Sequence, residues 1–291
     1  MNKIYLTLGI ACFCQIVLTM VPLGIKATQA DIWTIGIARL VICVSVLSIF
    51  FYKNYFQHLK RLWPLGLFFF LHWATYAQSV KVSTPSTAII GLSFYGMFLL
   101  IYSQIFLKQK VSKLIYLLIL LSITTVYLTF SKGSEVSGIL WGLGSASAYA
   151  ILPIINKKNS EISHGQRAFI QFSVCLIFYI LIGLPQSNWN ISTNDYWILL
   201  GLGLGGTVIG HGLWVKVTTE LPTEITSGIY YLVIPFSFLL ENLFLGISIN
   251  HEKVLGSIVI ILSNLLILFV MKRSKISFSK SASSKNSPQV H

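Results

Sequence analysis

Long apolar runs separated by short polar breaks fill almost the whole chain. The runs fall at approximately 4–24, 32–52, 62–80, 85–107, 111–131, 136–155, 166–184, 196–217, 222–247 and 253–271. A bilayer core about 30 Å thick is crossed by roughly 20 helical residues, so each run is long enough for one transmembrane helix. A segment in lipid must satisfy its own backbone hydrogen bonds, which favours helix. The pattern therefore predicts an all-α membrane protein of ten transmembrane helices, with short breaks that make consecutive helices antiparallel. Beyond about residue 274 the chain is rich in Ser and Lys and poor in apolar residues. Such a tail cannot bury enough surface to fold and is expected to stay disordered, with its cations near anionic headgroups.

The pattern also repeats. A shift of 139 residues places His72 on His211, Thr84 on Thr223, Thr87 on Thr226 and Gly66 on Gly205. Met20-Val21-Pro22, late in the first run, resembles Ile151-Leu152-Pro153, late in the sixth, at a different shift, so an insertion separates the two registers. The reading is a first five-helix repeat over 1–132, a second over 133–271 and a basic tail over 272–291. Five is odd, so the second copy enters the membrane from the opposite face. Two inverted five-helix repeats are an architecture of alternating-access carriers, with the site near the midplane between halves.

Composition agrees: 55% of the 291 residues are hydrophobic and 10% charged, against about 25% charged in soluble domains. That leaves no room for a soluble catalytic domain. The formal charge of +13 suggests a nucleic-acid partner, but the cations follow topology rather than forming a patch. With the N-terminus in the cytoplasm, one side holds Lys3, Lys53, Lys60, Arg61, Lys108, Lys110, Lys113, Lys157, Lys158, Arg167, Lys216, Lys272, Arg273, Lys275, Lys280 and Lys285. The other holds Lys26, Lys81, Lys132 and Lys253. This asymmetry is the positive-inside rule. It predicts an even number of spans in the plasma (inner) membrane with both termini cytoplasmic, and no nucleic-acid partner. Cys12, Cys14, Cys43 and Cys175 all lie in apolar runs; small buried packing is expected of them, with no metal site.

Three stretches carry a resemblance: Gly138 to Lys157 (GILWGLGSASAYAILPIINK), Leu71 to Ser93 (LHWATYAQSVKVSTPSTAIIGLS) and Gly206 to Glu241 (GTVIGHGLWVKVTTELPTEITSGIYYLVIPFSFLLE). With Arg39 and Gly256, they resemble the ten-helix carriers of the drug/metabolite transporter (DMT) superfamily, EamA type. The resemblance covers about residues 4–271. In such families the fourth helix of each repeat usually ends in an acidic residue after Leu-Gly. Here Leu107-Lys108-Gln109-Lys110 and Leu245-Gly246-Ile247-Ser248 occupy those places. The family proline is Pro235, and Gly96 occupies its partner position. The resemblance implies transport of a small organic metabolite, such as an amino acid or related compound, more often exported than imported. No substrate or coupling ion follows from it.

The candidate substrate contacts are the polar and aromatic residues deep in the runs. Glu241 comes first, because a charge at mid-bilayer costs about 2.5–3.5 kcal/mol on insertion scales and usually faces a cavity or a partner. Tyr230, Ile234, Ser237 and Glu241 fall on one face of a continuous helix; the repeat sets Gly91, Tyr95, Phe98 and Tyr102 opposite. Arg39, the only arginine deep in a run, is read either as a partner of Glu241, directly or through substrate, or as a helix-packing clamp. His72, with Thr75 and Tyr76, and His211, with Trp214, occupy equivalent places in the repeat. Histidine titrates near neutral pH, so proton coupling through His72 or Glu241 is an expectation, set against neutral imidazoles bonded to a neighbouring helix. Tyr149, Tyr95 and Tyr230 are deep enough to line a cavity, whereas Trp33, Trp63 and Trp197, at run starts, read as interfacial anchors. Gly201, Gly203 and Gly206 fit GxGxxG, but no strand precedes them; Gly201 with Gly205 and Gly206 with Gly210, each pair four apart, read instead as sites of close helix approach. No cofactor is implied. The expected partners are a small-molecule substrate, the bilayer and, on the coupling reading, protons; the oligomeric state is left open. Two rivals remain: a membrane-embedded enzyme acting on lipid, for which only Glu220 and Glu224 approach an acidic cluster, and a non-transporting receptor or assembly subunit.

Overall fold

The computed structural model describes residues 3–53, 55–107, 116–118, 120–121, 124–125, 134–221, 223–231, 233–249, 251–263, 265–266 and 269. Most of the fifth run, the Lys108-Gln109-Lys110 stretch and the tail from 270 lie outside them. Among the described residues the chain is helical, with no strand. The helices are α1 (Lys3–Ala27), α2 (Ile32–Phe51), α3 (Tyr55–Val82), α4 (Pro85–Ser93), α5 (Tyr95–Leu107), α6 (Ser134–Lys158), α7 (His164–Gly183), α8 (Thr193–Gly201), α9 (Gly212–Glu220), α10 (Thr223–Tyr230), α11 (Val233–Leu245) and α12 (251–263). A ten-residue π-helical stretch, Leu202–His211, joins α8 to α9 without a break. Among the described residues, six segments are long and apolar enough to cross a membrane; they include α1, α2, α6 and the continuous Thr193–Glu220.

The helices start where short polar side chains cap them. Asp31 accepts the Trp33 and Thr34 amides at the head of α2, Ser163 accepts Gln166 N–H at α7, and Ser192 with Asp195 forms a capping box at α8. Each cap satisfies amides that the helix itself leaves free. The residue distribution inverts that of a soluble protein. Phe13, Ile49, Phe50, Ile177, Leu181, Leu243 and Phe244 are exposed, while Thr19, Thr34, Arg39, His72, Gln171 and Thr207 are buried. An apolar exterior around a polar-seamed interior suits lipid as solvent.

At the centre α3 runs along α6 and α7, α2 lies on α7, and both α1 and α2 lie on the π stretch. Glycines set the closest approaches. Gly91 of α4 and Gly142 of α6 meet backbone to backbone, a Cβ on either coming within 3 Å of the other's Cα. Of the glycines read from the sequence as packing glycines, Gly206 and Gly210 abut Val21 and Leu18 of α1, whereas Gly201 and Gly205 have nothing within 4 Å of an added Cβ; Gly203 abuts Ile42 of α2. Pro22 and Pro153 both sit inside helices, α1 and α6.

Two long runs are broken. The 85–107 run is interrupted at Phe94, and the 222–247 run between Tyr230 and Val233. The 139-residue shift carries Phe94 onto Val233, the residue at which α11 begins, so the two interruptions fall close to one another without coinciding. The single polar stripe expected along Tyr230, Ile234, Ser237 and Glu241 is therefore divided between α10 and α11, although all four residues are buried.

Polar contacts tie both ends of the bundle. At the end with the α1–α2 turn, Lys26 Nζ donates to the carbonyls of Val80, Lys81 and Ser83, closing the last turn of α3. Lys81 Nζ donates to Thr28 O at 2.6 Å. Asp195 accepts Thr28 Oγ1–H and Gln29 N–H, and Asp31 accepts Asn188 N–H. An ion pair joins Lys253 to Glu135. At the opposite end Arg167 is not a loop cation but a buried residue of α7, donating to Ile162 O, Asn156 O and Oδ1, and Thr219 Oγ1. There Thr7 Oγ1 also donates to Glu220.

Candidate functional site

A cavity lies at mid-depth, among α1, α2, α3, α4, α6, α7, the end of the π stretch and both sides of the second helix break. Six of the nine candidate residues line it: Arg39, His72, Tyr76, Tyr149, His211 and Tyr230. Tyr95 stands behind two of them, 5.1 Å from the Tyr149 ring and 5.4 Å from Tyr230. Trp214 lies 6.4 Å from Tyr230 and lines a second, smaller cavity with Asn156, Gln171 and Thr218. Tyr149 and His211 border both cavities. The first cavity extends to Ile25 and Ile32, beside the α1–α2 turn, and the second to Asn156 and Thr218, beside Arg167, so these two side chains stand between the two chambers.

Arg39 is 3% exposed. Its guanidinium carbon sits 3.8 Å from the Trp73 ring centroid, a cation–π geometry, and its Nε–H donates to Thr207 Oγ1 at 3.2 Å. Thr207 is held in turn by donating to Leu202 O, five residues back in the π stretch. Arg39 Nη2 is buried without a hydrogen-bond partner.

His72 is anchored from two sides. Its Nδ1 is 2.7 Å from Ser145 Oγ, and Ser145 Oγ donates to the His72 carbonyl at 3.0 Å. Ser145 has one proton and spends it on that carbonyl, so His72 Nδ1 carries the proton of the other bond, and Nε2 of the neutral ring is left as acceptor. The imidazole stacks on Tyr149 with centroids 4.3 Å apart. His211 stands edge-on to Phe69 and Trp73, each at 5.3 Å.

Glu241 is placed elsewhere. Its Oε2 accepts Ser86 N–H at 2.7 Å, at the first turn of α4, where Thr84 caps Thr87 N–H and Pro85 has no N–H to offer. The carboxylate thus faces the positive end of a helix. The direct Arg39–Glu241 pair is not formed, because each side chain is engaged by a different helix. Sequence reasoning passed over Tyr179, Thr207 and Ser145, which line the cavity or hold its polar groups. Tyr179 had a signal, as the one tyrosine of α7; Thr207, in a glycine-rich stretch, had none. Among the described residues no group of three or more His, Cys, Asp or Glu is placed to hold a metal.

Residues 136–269 match the EamA-like transporter family. The match covers the second half of the chain. The chain is also 22% identical over 202 residues to an "Uncharacterized transporter" of Clostridium kluyveri, a match spanning 65% of this chain and 65% of that protein. One crystal structure aligns over 91% of this chain and 97% of its own, with a TM-score of 0.64 at 11% identity, a likeness of fold alone. Family and apolar helices together make this a multi-pass membrane protein.

Proposed function

We propose that the chain moves a small organic metabolite across the plasma (inner) membrane by alternating access, with both termini cytoplasmic and export as the physiological direction. The observation that supports this reading is the mid-depth cavity bordered by α4 and by both sides of the break between Tyr230 and Val233. Broken helices at a repeat interface are where carriers of this design hold substrate, and rocking of one half against the other exposes the site to each side in turn. The ties at the two ends of the bundle are the contacts that such rocking has to break, one set at a time. Arg39, Tyr76, His72, Tyr149, His211 and Tyr230 contact substrate on this reading; Tyr95 and Trp214 support them.

Proton coupling is a finer part of the same proposal. His72 carries it best, since the Ser145 pair fixes one nitrogen as donor and leaves the other to take a proton at the cavity wall. The test of the whole is counterflow: labelled metabolites are offered to proteoliposomes preloaded with the same compound. Saturable exchange of one compound class supports the reading. Silence across amino acids, nucleosides, sugars, polyamines and organic acids, with folded protein, removes it.

A further inference from the structure

The structure assigns to Arg39 Nη2 the role of binding an oxyanion, so that the substrate carries a carboxylate or a phosphate monoester at this end of the cavity. The inference deepens the transport reading and rests on it for the word substrate. Arg39 is fully engaged on two sides, by Trp73 beneath its plane and Thr207 at Nε. Those two contacts fix the guanidinium plane and leave the outer nitrogen buried beside Gly206, on a side chain that lines the cavity, with nothing bonded to it. Among the described residues no carboxylate forms a salt bridge with Arg39, and the nearest candidate by sequence, Glu241, is committed to the Ser86 amide. A buried cation without a counter-charge is costly, and an arriving anion removes that cost. A planar guanidinium with a free edge matches the geometry of carboxylate and phosphate oxygens.

The rest of the wall indicates what else the ligand carries. Tyr76, Tyr149, Tyr230 and the Trp73 edge surround the space beyond Arg39, and no acidic side chain lines it, which disfavours a cationic ligand. The substrate is therefore an organic acid with an apolar or flat body.

The test uses the purified full chain in detergent and thermal unfolding followed by tryptophan fluorescence. The probes are phenylacetate, glutarate, phenyl phosphate and glycerol phosphate, each against its uncharged amide or parent alcohol at equal ionic strength. The expected result is a saturable rise in Tm with at least one acid and none with its uncharged counterpart. Arg39→Gln should weaken that binding at least tenfold, and Arg39→Lys should retain part of it, because a point charge lacks the fork. Whether the carboxylates or the phosphates bind separates the two sources of oxyanion. The acid-against-amide comparison on the unaltered protein needs no variant, so it stands even where Arg39→Gln fails to fold. Equal binding of acid and amide, no binding by any acid, or full acid binding by folded Arg39→Gln overturns the inference. Counterflow that ignores Arg39→Gln keeps the carrier and removes the oxyanion site; oxyanion binding without counterflow of any compound does the reverse.

Discussion

The carboxylate of Glu241 accepts the backbone amide of Ser86 at 2.7 Å, joining the second half of an interrupted helix to the first turn of its counterpart 155 residues away. The bond works as a cap supplied by a distant element: α4 begins with Thr84 and Pro85, which leaves Ser86 N–H unpaired within its own helix. Glu241→Ala should therefore cost about 1–3 kcal/mol, the range for a buried donor left unsatisfied, and lower Tm. Glu241→Gln keeps an acceptor oxygen and should retain most of the stability. Counterflow at several pH values then separates capping from coupling. If Glu241 carries the proton, pH dependence vanishes in the folded Gln variant; unchanged dependence takes Glu241 out of the coupling mechanism and leaves its structural role.

Gly91 and Gly142 predict an intolerance of the same region to added volume. A methyl on either meets the other helix's backbone inside 3 Å, with no flexible side chain to give way. Gly91→Ala and Gly142→Ala should each destabilise by about 1–3 kcal/mol, as overpacking typically does. Gly9→Ala, where nothing lies within 4 Å, should be neutral or slightly stabilising, since alanine is the better helix former. Thermal unfolding of the three variants side by side checks this; equal Tm values would mean that α4 and α6 are free to separate.

Some of these relationships could be read in advance and others could not, for identifiable reasons. Helical runs were legible because lipid demands about 20 apolar residues per crossing, and the His72–His211 correspondence was legible because polar matches are rare in such runs. The break at Tyr231 had a signal that reads clearly only in three dimensions. Pro235 has no N–H for the Tyr231 carbonyl and its ring crowds it; Ile234 N–H takes that carbonyl instead, at 3.2 Å. The π stretch left no mark, since a stretch of mostly apolar and glycine residues reads equally well at either pitch. Glu241 was expected to face a cavity or a partner; the Ser86 amide bonded to it is a backbone group, and no side-chain pattern announces one.

Asp31 predicts an acid-side loss of stability. It lies in the turn before α2. Burial pushes its carboxyl up, but hydrogen bonds from Asn188, Thr34 and Trp33 outweigh that and hold it below the ordinary carboxylate value. A carboxyl depressed on folding stabilises above its unfolded pKa, about 3.9, and that contribution is lost as pH falls through the folded value. The Tm difference between the protein and Asp31→Ala should thus be full near neutral pH, worth about 1 kcal/mol as helix caps go, and shrink below pH about 4. A gap that widens on acidification would contradict the assignment.

Tyr149 carries the last prediction, because it borders both chambers and is fixed by stacking on His72 at 4.3 Å and by the tilted ring of Tyr95 at 5.1 Å. If the two chambers are successive parts of one route, this ring, with His211, is the wall that must stay shut when one end opens. Tyr149→Ala should then let trapped solute escape from proteoliposomes without exchange, while Tyr149→Phe, which keeps the ring, should hold it. Truncating a buried aromatic costs about 3–5 kcal/mol, so the Ala variant will also unfold at lower temperature, and leakage has to be read well below its Tm. Vesicles bearing folded Tyr149→Ala that retain solute as well as the unaltered protein, with exchange unimpaired, would show that the partition lies elsewhere and that the second chamber is a packing defect near Gln171 and Thr218 rather than part of the route.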